Sequence, residues 1–369
     1  SQAYESQATT GGGFSYGFTA PNPFLVPEKV NSYEIGTEMK FFKGRLGFDL
    51  AYYRTESASQ IIRDLRISYA TGFILKVING GKLWNQGLEF SVNAEPIRTS
   101  NFTWTTDFNI TKTSSRLTEL PANLPEFYSS DTWIFGNVRN GVRLNSPLTT
   151  FTGNSYLRNT KGEILISPLS GLPLTETVWN IVGDRNPDFV IGFVNSFKYK
   201  NLGLSFVLDA RKGGDVYNAT ESYMYSRGLS MKTLDRETPY TFRGVLKDGL
   251  ENTDSPTKNT IQVTPYYNNA YYSALSDENF IERDVNWLRL KELTLRYSFS
   301  PALLSRAKLF KTANVFLTGT DLLLLTNYTG GDPGVNGNNT ATGGSGGQGI
   351  DYGNLPLPKV FNVGLTLGF

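Results

Sequence analysis

The chain has 369 residues, 35 Lys and Arg against 33 Asp and Glu, and neither cysteine nor histidine. A formal charge of +2 supplies no long-range field to concentrate nucleic acid. The missing imidazole and thiol remove disulfides, Ser-His-Asp and Cys-His catalysis, and His-rich zinc sites. No run of about 18 apolar residues suggests a membrane helix. The mean hydropathy of −0.28 would ordinarily indicate a soluble protein, but a membrane barrel keeps such an average because its strands alternate lipid-facing and lumen-facing residues. Aromatics at 13% and 37 glycines lean toward β structure. The polar, Gly-rich Ser1 to Gly13 does not read as a signal peptide, so a leader is expected to have been removed or the chain to begin mid-protein.

Period-two alternation predicts nine strands. The first, Asn31 to Lys43, places Tyr33, Ile35, Met39 and Phe41 on one face, and Lys43-Gly44 turns it into the second, Arg45 to Thr55, with Leu46, Phe48, Leu50 and Tyr52 aligned. The third and fourth are Gln86 to Glu95 and Phe102 to Thr111, joined by Pro96 to Asn101. The fifth and sixth, Asp188 to Lys200 and Leu202 to Ala210, share the turn Lys200-Asn201. The seventh, Trp287 to Phe299, changes phase near Glu292 and implies a bulge. The eighth and ninth are Ala313 to Leu322 and Lys359 to Phe369.

Connections alternate as the residues do. Short turns follow strands one, three, five and seven, whereas residues 56–85, 112–187, 211–286 and 323–358 form long loops. Short periplasmic turns and long external loops are the asymmetry of an outer-membrane barrel, and loops this long are unusual in compact domains. The expected fold is therefore all-β, a transmembrane antiparallel barrel. Nine strands are an odd number and do not close such a barrel. The rest is expected from a longer precursor or another chain, and residues 1–30 read as the end of an extracellular loop.

Several segments resemble the SusC/RagA type of TonB-dependent outer-membrane transporter over nearly the whole chain. They are Glu34-Ile35-Gly36-Thr37-Glu38 with Phe41-Phe42 and Arg45-Leu46, then Asn79-Gly80-Gly81 with Asn85-Gln86-Gly87-Leu88-Glu89. Gly183-Asp184-Arg185-Asn186-Pro187-Asp188, Gly213-Gly214-Asp215-Val216-Tyr217-Asn218 and Trp287-Leu288-Arg289-Leu290-Lys291-Glu292-Leu293 follow. Thr326-Asn327-Tyr328-Thr329-Gly330-Gly331-Asp332-Pro333 and a last strand ending in Phe369 complete the series. The resemblance implies the C-terminal portion of a plugged barrel of about 22 strands. It further implies TonB-dependent import of a glycan or oligopeptide under a SusD-like surface lipoprotein, in the outer membrane of a Gram-negative, Bacteroidetes-like bacterium. The expected partners are that lipoprotein, TonB, membrane lipid and the remaining N-terminal barrel and plug; nothing in these segments matches the family's plug or TonB-contacting region.

Candidate residues follow from placement. Tyr53, Trp104, Tyr199, Tyr297 and Phe299 near strand ends are candidates for interfacial aromatic girdles, the alternative being aromatics scattered as in any strand. Asp49, Glu89, Asp107, Asn109 and Asp209 would line a polar lumen, packing a plug or solvated more readily than holding substrate. Tyr128, Trp133, Trp179, Tyr266, Tyr267, Tyr271 and Tyr272 lie in long loops, where they would stack on sugars, touch the lid, or pack loop on loop. Asp332-Pro333-Gly334 reads as a turn before it reads as a Ca²⁺ site. Phe369 resembles the C-terminal aromatic shown to barrel-assembly machinery, or simply ends its strand. No catalytic residue, metal or cofactor is expected. The competing readings are a siderophore or vitamin receptor, a passive porin, an outer-membrane hydrolase, and a soluble adhesin or β-sandwich that would bury the apolar stripes between two sheets.

Overall fold

The computed structural model describes residues 4–6, 14–122, 124–128, 138–307, 310–334 and 347–369. Its organising element is a nine-stranded antiparallel sheet in which every strand pairs with the next along the sheet's path. The strands are β1 (Lys29–Phe41), β2 (Leu46–Ala58), β3 (Lys82–Arg98), β4 (Phe102–Glu119) and β5 (Phe189–Tyr199). They continue as β6 (Leu202–Lys212), β7 (Trp287–Ser298), β8 (Thr312–Thr326) and β9 (Val360–Gly368). These are the nine predicted strands. β3, β4 and β8 run several residues beyond their predicted ends, through polar stretches such as Thr111 to Ser115 whose pairing with β3 continues after the apolar pattern stops.

Because side chains alternate faces, register decides which residues meet across the sheet. Leu50, Phe90, Ile110, Ile191, Ala210, Leu288 and Leu325 form one continuous rung. Phe48, Val92, Phe108, Phe193, Leu208, Leu290 and Leu323 form the next on the same face. The opposite face carries Thr105, Ser196, Ser205, Thr294, Thr318 and Asn362 in register, with the Thr294 and Thr318 hydroxyls 2.8 Å apart. Asp49, Ser91 and Asn109 share that polar face.

The apolar face is bare. Ile35 is 73% exposed, Val363 77%, and Leu88, Leu204, Leu295 and Leu317 between 40 and 48%, so no described part of the chain packs over it. A β-sandwich would bury this face. The principal core lies in the long connections instead, where Val138, Phe151, Val182, Tyr217, Phe280, Ile281 and Ile350 cluster. Among the described residues, β1 pairs only with β2 and β9 only with β8. The sheet is thus an open arc of barrel wall, with two free edges of the kind barrel closure abolishes.

Turns and bulges follow the sequence closely. Between β1 and β2, Phe42, Lys43 and Gly44 all adopt positive φ, and Gly44 at 86° takes the left-handed conformation without a Cβ penalty. The phase change expected near Glu292 is a bulge at Lys291, skipped in pairing with both β6 and β8. A second bulge, around Pro96, shifts β3 against β4 between Ala94 and Ile97. The connection from β7 to β8 is longer than its counterparts and contains a helix, Pro301–Ala307.

The long connections interlock. Val216–Asn218 pairs antiparallel with Ile281–Glu282 and parallel with Ile350–Asp351, joining the loops after β6 and β8. Leu165–Ile166 lies parallel to Val245–Leu246, joining those after β4 and β6. Thr150–Gly153 sits between Val138–Arg139 and Asn180–Asp184, and Thr19–Ala20 pairs with Leu75–Asn79.

Candidate functional site

The loop assembly is fixed to the wall by buried polar groups. Arg289 of β7 is 6% exposed and donates to Asp332 at 2.6 Å and Asp321 at 3.4 Å. Asp332 also accepts the Gly334 N–H at 2.8 Å. Its carboxylate therefore anchors the turn that begins the last loop, in agreement with the turn reading of Asp332-Pro333-Gly334. Two phenols act as further staples: Tyr217 donates to Asp277 at 2.7 Å and Tyr328 to Asp351 at 2.6 Å. Burial first, and the adjacent carboxylate second, push both phenols above the usual tyrosine range. Asp351 also accepts from Thr220 at 3.2 Å, on helix α1 (Ala219–Ser226), whose N-cap Asn218 accepts the Glu221 N–H.

Beside these staples lies an aromatic cluster. Tyr225 meets Tyr272 and Phe280 edge-on at 5.6 and 5.7 Å, Tyr271 contacts Phe242 at 5.5 Å, and Phe242 contacts Tyr240 at 5.0 Å. The cluster walls a cavity of about 500 Å³, lined by Tyr156, Tyr225, Tyr240, Phe242 and Tyr271 and by Lys232, Asp235, Arg243 and Asn279. Burial pushes the Tyr156 phenol up to about 12. Arg243 also lines a second cavity of about 510 Å³ with Arg158, Glu163, Lys258 and Asn259. Glu163 and Lys258 in turn border a third, of about 680 Å³, with Lys161 and Asp254. On the polar face of the wall, a concavity of about 600 Å³ near the short turns is lined by Arg98, Thr103, Ser196, Lys198, Thr294 and Arg296.

The residues singled out from the sequence fall in different environments. Tyr271 is 8% exposed and Tyr272 meets Tyr225 and Tyr271 edge-on within the cluster, whereas Tyr266 and Tyr267 are 67 and 84% exposed, with their rings edge-on at 5.1 Å. Trp179 is covered by the Arg139 guanidinium, 4.3 Å from its ring centroid. Only the backbone of Tyr128 is described, paired with Gly141, and Trp133 lies outside the described residues. Phe369 is 75% exposed, with its ring 5.2 Å from Phe310. Tyr156, Tyr225, Tyr240, Phe242, Arg243 and Lys258 were not singled out by sequence, because isolated loop aromatics and charges carry no period.

Among the girdle candidates, Trp104, Tyr199 and Tyr297 lie on the apolar face near the short turns, in register with Ile97, Leu202 and Val315 respectively. Trp104 donates to Asn195 at 2.9 Å, giving its N–H a partner where lipid offers none. Phe299 contacts Tyr297 edge-on at 5.2 Å. Tyr53 differs from expectation. It shares the polar face with Asp49 and Ala51, and its ring occupies the space that a Cβ on Gly87 would need.

An antiparallel arc with a bare apolar outer face, a polar inner face and packed loops at one rim defines the wall of a membrane β-barrel. The chain belongs to the TonB dependent receptor-like β-barrel family, whose model matches residues 1–189. It is similar to TonB-dependent receptor P26 of Formosa agariphila, at 29% identity over 94% of this chain and 35% of that protein. It is also similar to TonB-dependent receptor SusC of Bacteroides thetaiotaomicron, at 24% identity over 96% of this chain and 33% of that protein. Among solved structures, the RagAB peptide importer in its closed-closed state superposes with a TM-score of 0.68 at 20% identity, over 99% of this chain and 38% of the other. The chain thus spans about a third of the length of the curated relatives it matches.

Proposed function

We propose that this chain supplies part of the wall and most of a set of capture loops to an outer-membrane importer. That importer takes up a glycan or oligopeptide, draws on TonB, and works beneath a surface lipoprotein lid of the SusD kind. The observation carrying this reading is the uncovered apolar face, which only lipid can satisfy while the opposite face stays polar. The sorting of long connections to one rim supports it, as do relatives named TonB-dependent receptors. The chain does no covalent chemistry here: the wall and loops bind and guide, and the driving energy comes from elsewhere in the assembly. The exposed pair Tyr266 and Tyr267 is proposed to meet solute or lid, whereas Tyr271 and Tyr272 hold the loop's shape. Phe369, exposed at the end of β9, is proposed to present the barrel-assembly signal.

The test is uptake by cells producing the complete transporter. Accumulation of its solute should stop when TonB is deleted and fall when the lid gene is deleted. Uptake unaffected by loss of TonB would identify a passive pore and overturn the reading. Partition of the protein into the aqueous phase without detergent would point to a soluble adhesin instead.

A further inference from the structure

Resting on the outer-membrane placement in that reading, we infer that the outward face of β1–β4, beyond the apolar band on the loop side, docks an outer-leaflet lipid whose bulky headgroup carries phosphate. Register builds the surface. Beyond the rung of Leu50, Phe90 and Ile110 come Tyr52, Leu88 and Lys112, then Arg54 and Gln86, then Glu56, Trp84 and Arg116, and last Lys29, Ala58, Lys82 and Glu119. By alternation all of these stand on the lipid-facing side. Lys29, Lys82, Lys112 and Arg116 are exposed.

Charge on this surface is one-sided. Five cations stand there with two carboxylates, and both carboxylates are taken: Arg54 holds Glu56 at 2.9 Å and Lys82 holds Glu119 at 2.6 Å. The neighbouring Glu28 accepts from Gln60 and from the Ile61 N–H. Lys29, Lys112 and Arg116 have no carboxylate within 4.0 Å among the described residues. A surplus of three positive charges therefore faces the membrane side of the rim. On β6 the corresponding cation, Lys212, is matched by Asp284 at 2.8 Å. Near the short turns the same face carries Trp104, Phe197, Leu204 and Leu295 in one rung, so the surplus is confined to one corner of the wall.

The corner is also shaped before a lipid arrives. A concavity of about 510 Å³ lies among Lys29, Asn31, Arg54, Glu56, Lys82 and Trp84. Arg54 is braced over the Trp84 ring at 5.0 Å and donates to Gln86 at 3.2 Å, which also accepts from Tyr52 at 3.2 Å. Such preorganisation lowers the ordering cost of binding. Reach identifies the headgroup. From Tyr52 to Ala58 the wall climbs about 20 Å along its strands, or roughly 15 Å along the membrane normal at barrel tilt. A glycerophospholipid headgroup layer is only about 5–8 Å deep. A paired wall of this height suits a headgroup built on sugars, with phosphates to meet the ammonium and guanidinium groups. A neutral lipid would leave the three cations unmatched, and a second copy docking by the same face would set surplus against surplus.

The test is native mass spectrometry of the complete transporter in a neutral detergent, titrated with diphosphorylated lipid A, with phosphatase-treated lipid A and with inorganic phosphate. Lipid A should be retained at least about tenfold more tightly than its dephosphorylated form, the scale of charge-assisted contacts to phosphate. Replacing Lys29→Gln, Lys112→Gln and Arg116→Gln together should cost at least about tenfold in that retention and leave the dephosphorylated lipid unchanged. The single change Arg116→Gln should cost about threefold, and Lys198→Gln, on the opposite polar face, should change nothing. Migration of the unheated barrel on gels reports that each variant is folded. Retention of no lipid A, equal retention with and without its phosphates, insensitivity to the triple change, an equal loss with Lys198→Gln, or inorganic phosphate binding as tightly as the lipid would each overturn the inference. A smaller assembly after the triple change, with lipid A retention unaltered, would assign the face to a second copy of the chain instead. Detergent-dependent extraction and TonB-dependent import that persist alongside any of those results leave the import reading standing, whereas protein that stays in the aqueous phase without detergent removes that reading.

Discussion

The wall and the loop assembly obey opposite rules within one chain. In β1–β9 the large apolar side chains point away from the protein and the polar rungs face its interior. In the loops Phe151, Tyr217 and Ile350 are at most 1% exposed, and charged groups lie outside or in matched pairs. The hydrophobic effect is the same in both; what differs is the solvent each region faces. A surface that is a core toward water can thus be distinguished from one that is a contact surface for lipid by asking where the buried residues are, without reference to mean hydropathy.

The largest expected effect separates the two regions. Phe151→Ala empties the loop core and should cost the loop assembly about 3–5 kcal/mol, read as faster hydrogen exchange across 138–184 with the wall unchanged. Melting of the whole sheet by that change would erase the distinction. Phe193→Arg, near the middle of its strand on the bare face, should cost about 2–4 kcal/mol in lipid vesicles, measured by urea unfolding, and leave loop exchange untouched. Asp332→Ala leaves Arg289 with Asp321 alone. The loss of one charged hydrogen bond, about 2 kcal/mol, should open the 326–334 turn to protease.

Smaller effects sharpen the same contrast. The phenols of Tyr217, Tyr225 and Tyr328 are raised above their ordinary value of 10, and Tyr156 to about 12. Above pH 10 the unfolded loops would release these protons while the folded loops retain them. Stability conferred by the neutral phenols is therefore complete below pH 10 and falls as pH rises past it. Phenolate absorbance should show a late-titrating set of tyrosines, and hydrogen exchange should rise in the loops before the wall. Lys40→Ala, which breaks the exposed pair with Glu38 at 2.7 Å, should leave the melting temperature unchanged.

Most of the wall was legible because its two faces meet different media, and alternation such as Leu46, Phe48, Leu50 and Tyr52 records that directly. Strand ends were less legible. Thr111 to Ser115 extends β4 by backbone pairing alone, and such polar stretches look like loop. Tyr53 was misplaced because nearness to a strand end outweighed its own parity; the Gly87 opposite it, which makes room for its ring, was the available signal. The loops gave the weakest signal. Tyr266-Tyr267 and Tyr271-Tyr272 are the same dipeptide five residues apart, yet one pair is exposed and the other is built into the aromatic cluster. Only contacts distant in sequence, such as Tyr225 with Tyr272, separate them, and no local pattern encodes those.

Val216–Asn218, in the loop after β6, is hydrogen-bonded on one side to Ile281–Glu282 of the same loop and on the other to Ile350–Asp351 of the loop after β8. It acts as a keystone, so a displacement of one long excursion is carried mechanically to its neighbour. The excursions after β6 and β8 are accordingly bound to swing as a block, and drift in the shape of one narrows what the other can tolerate. Room for novelty remains at free-standing tips such as Tyr266 and Tyr267.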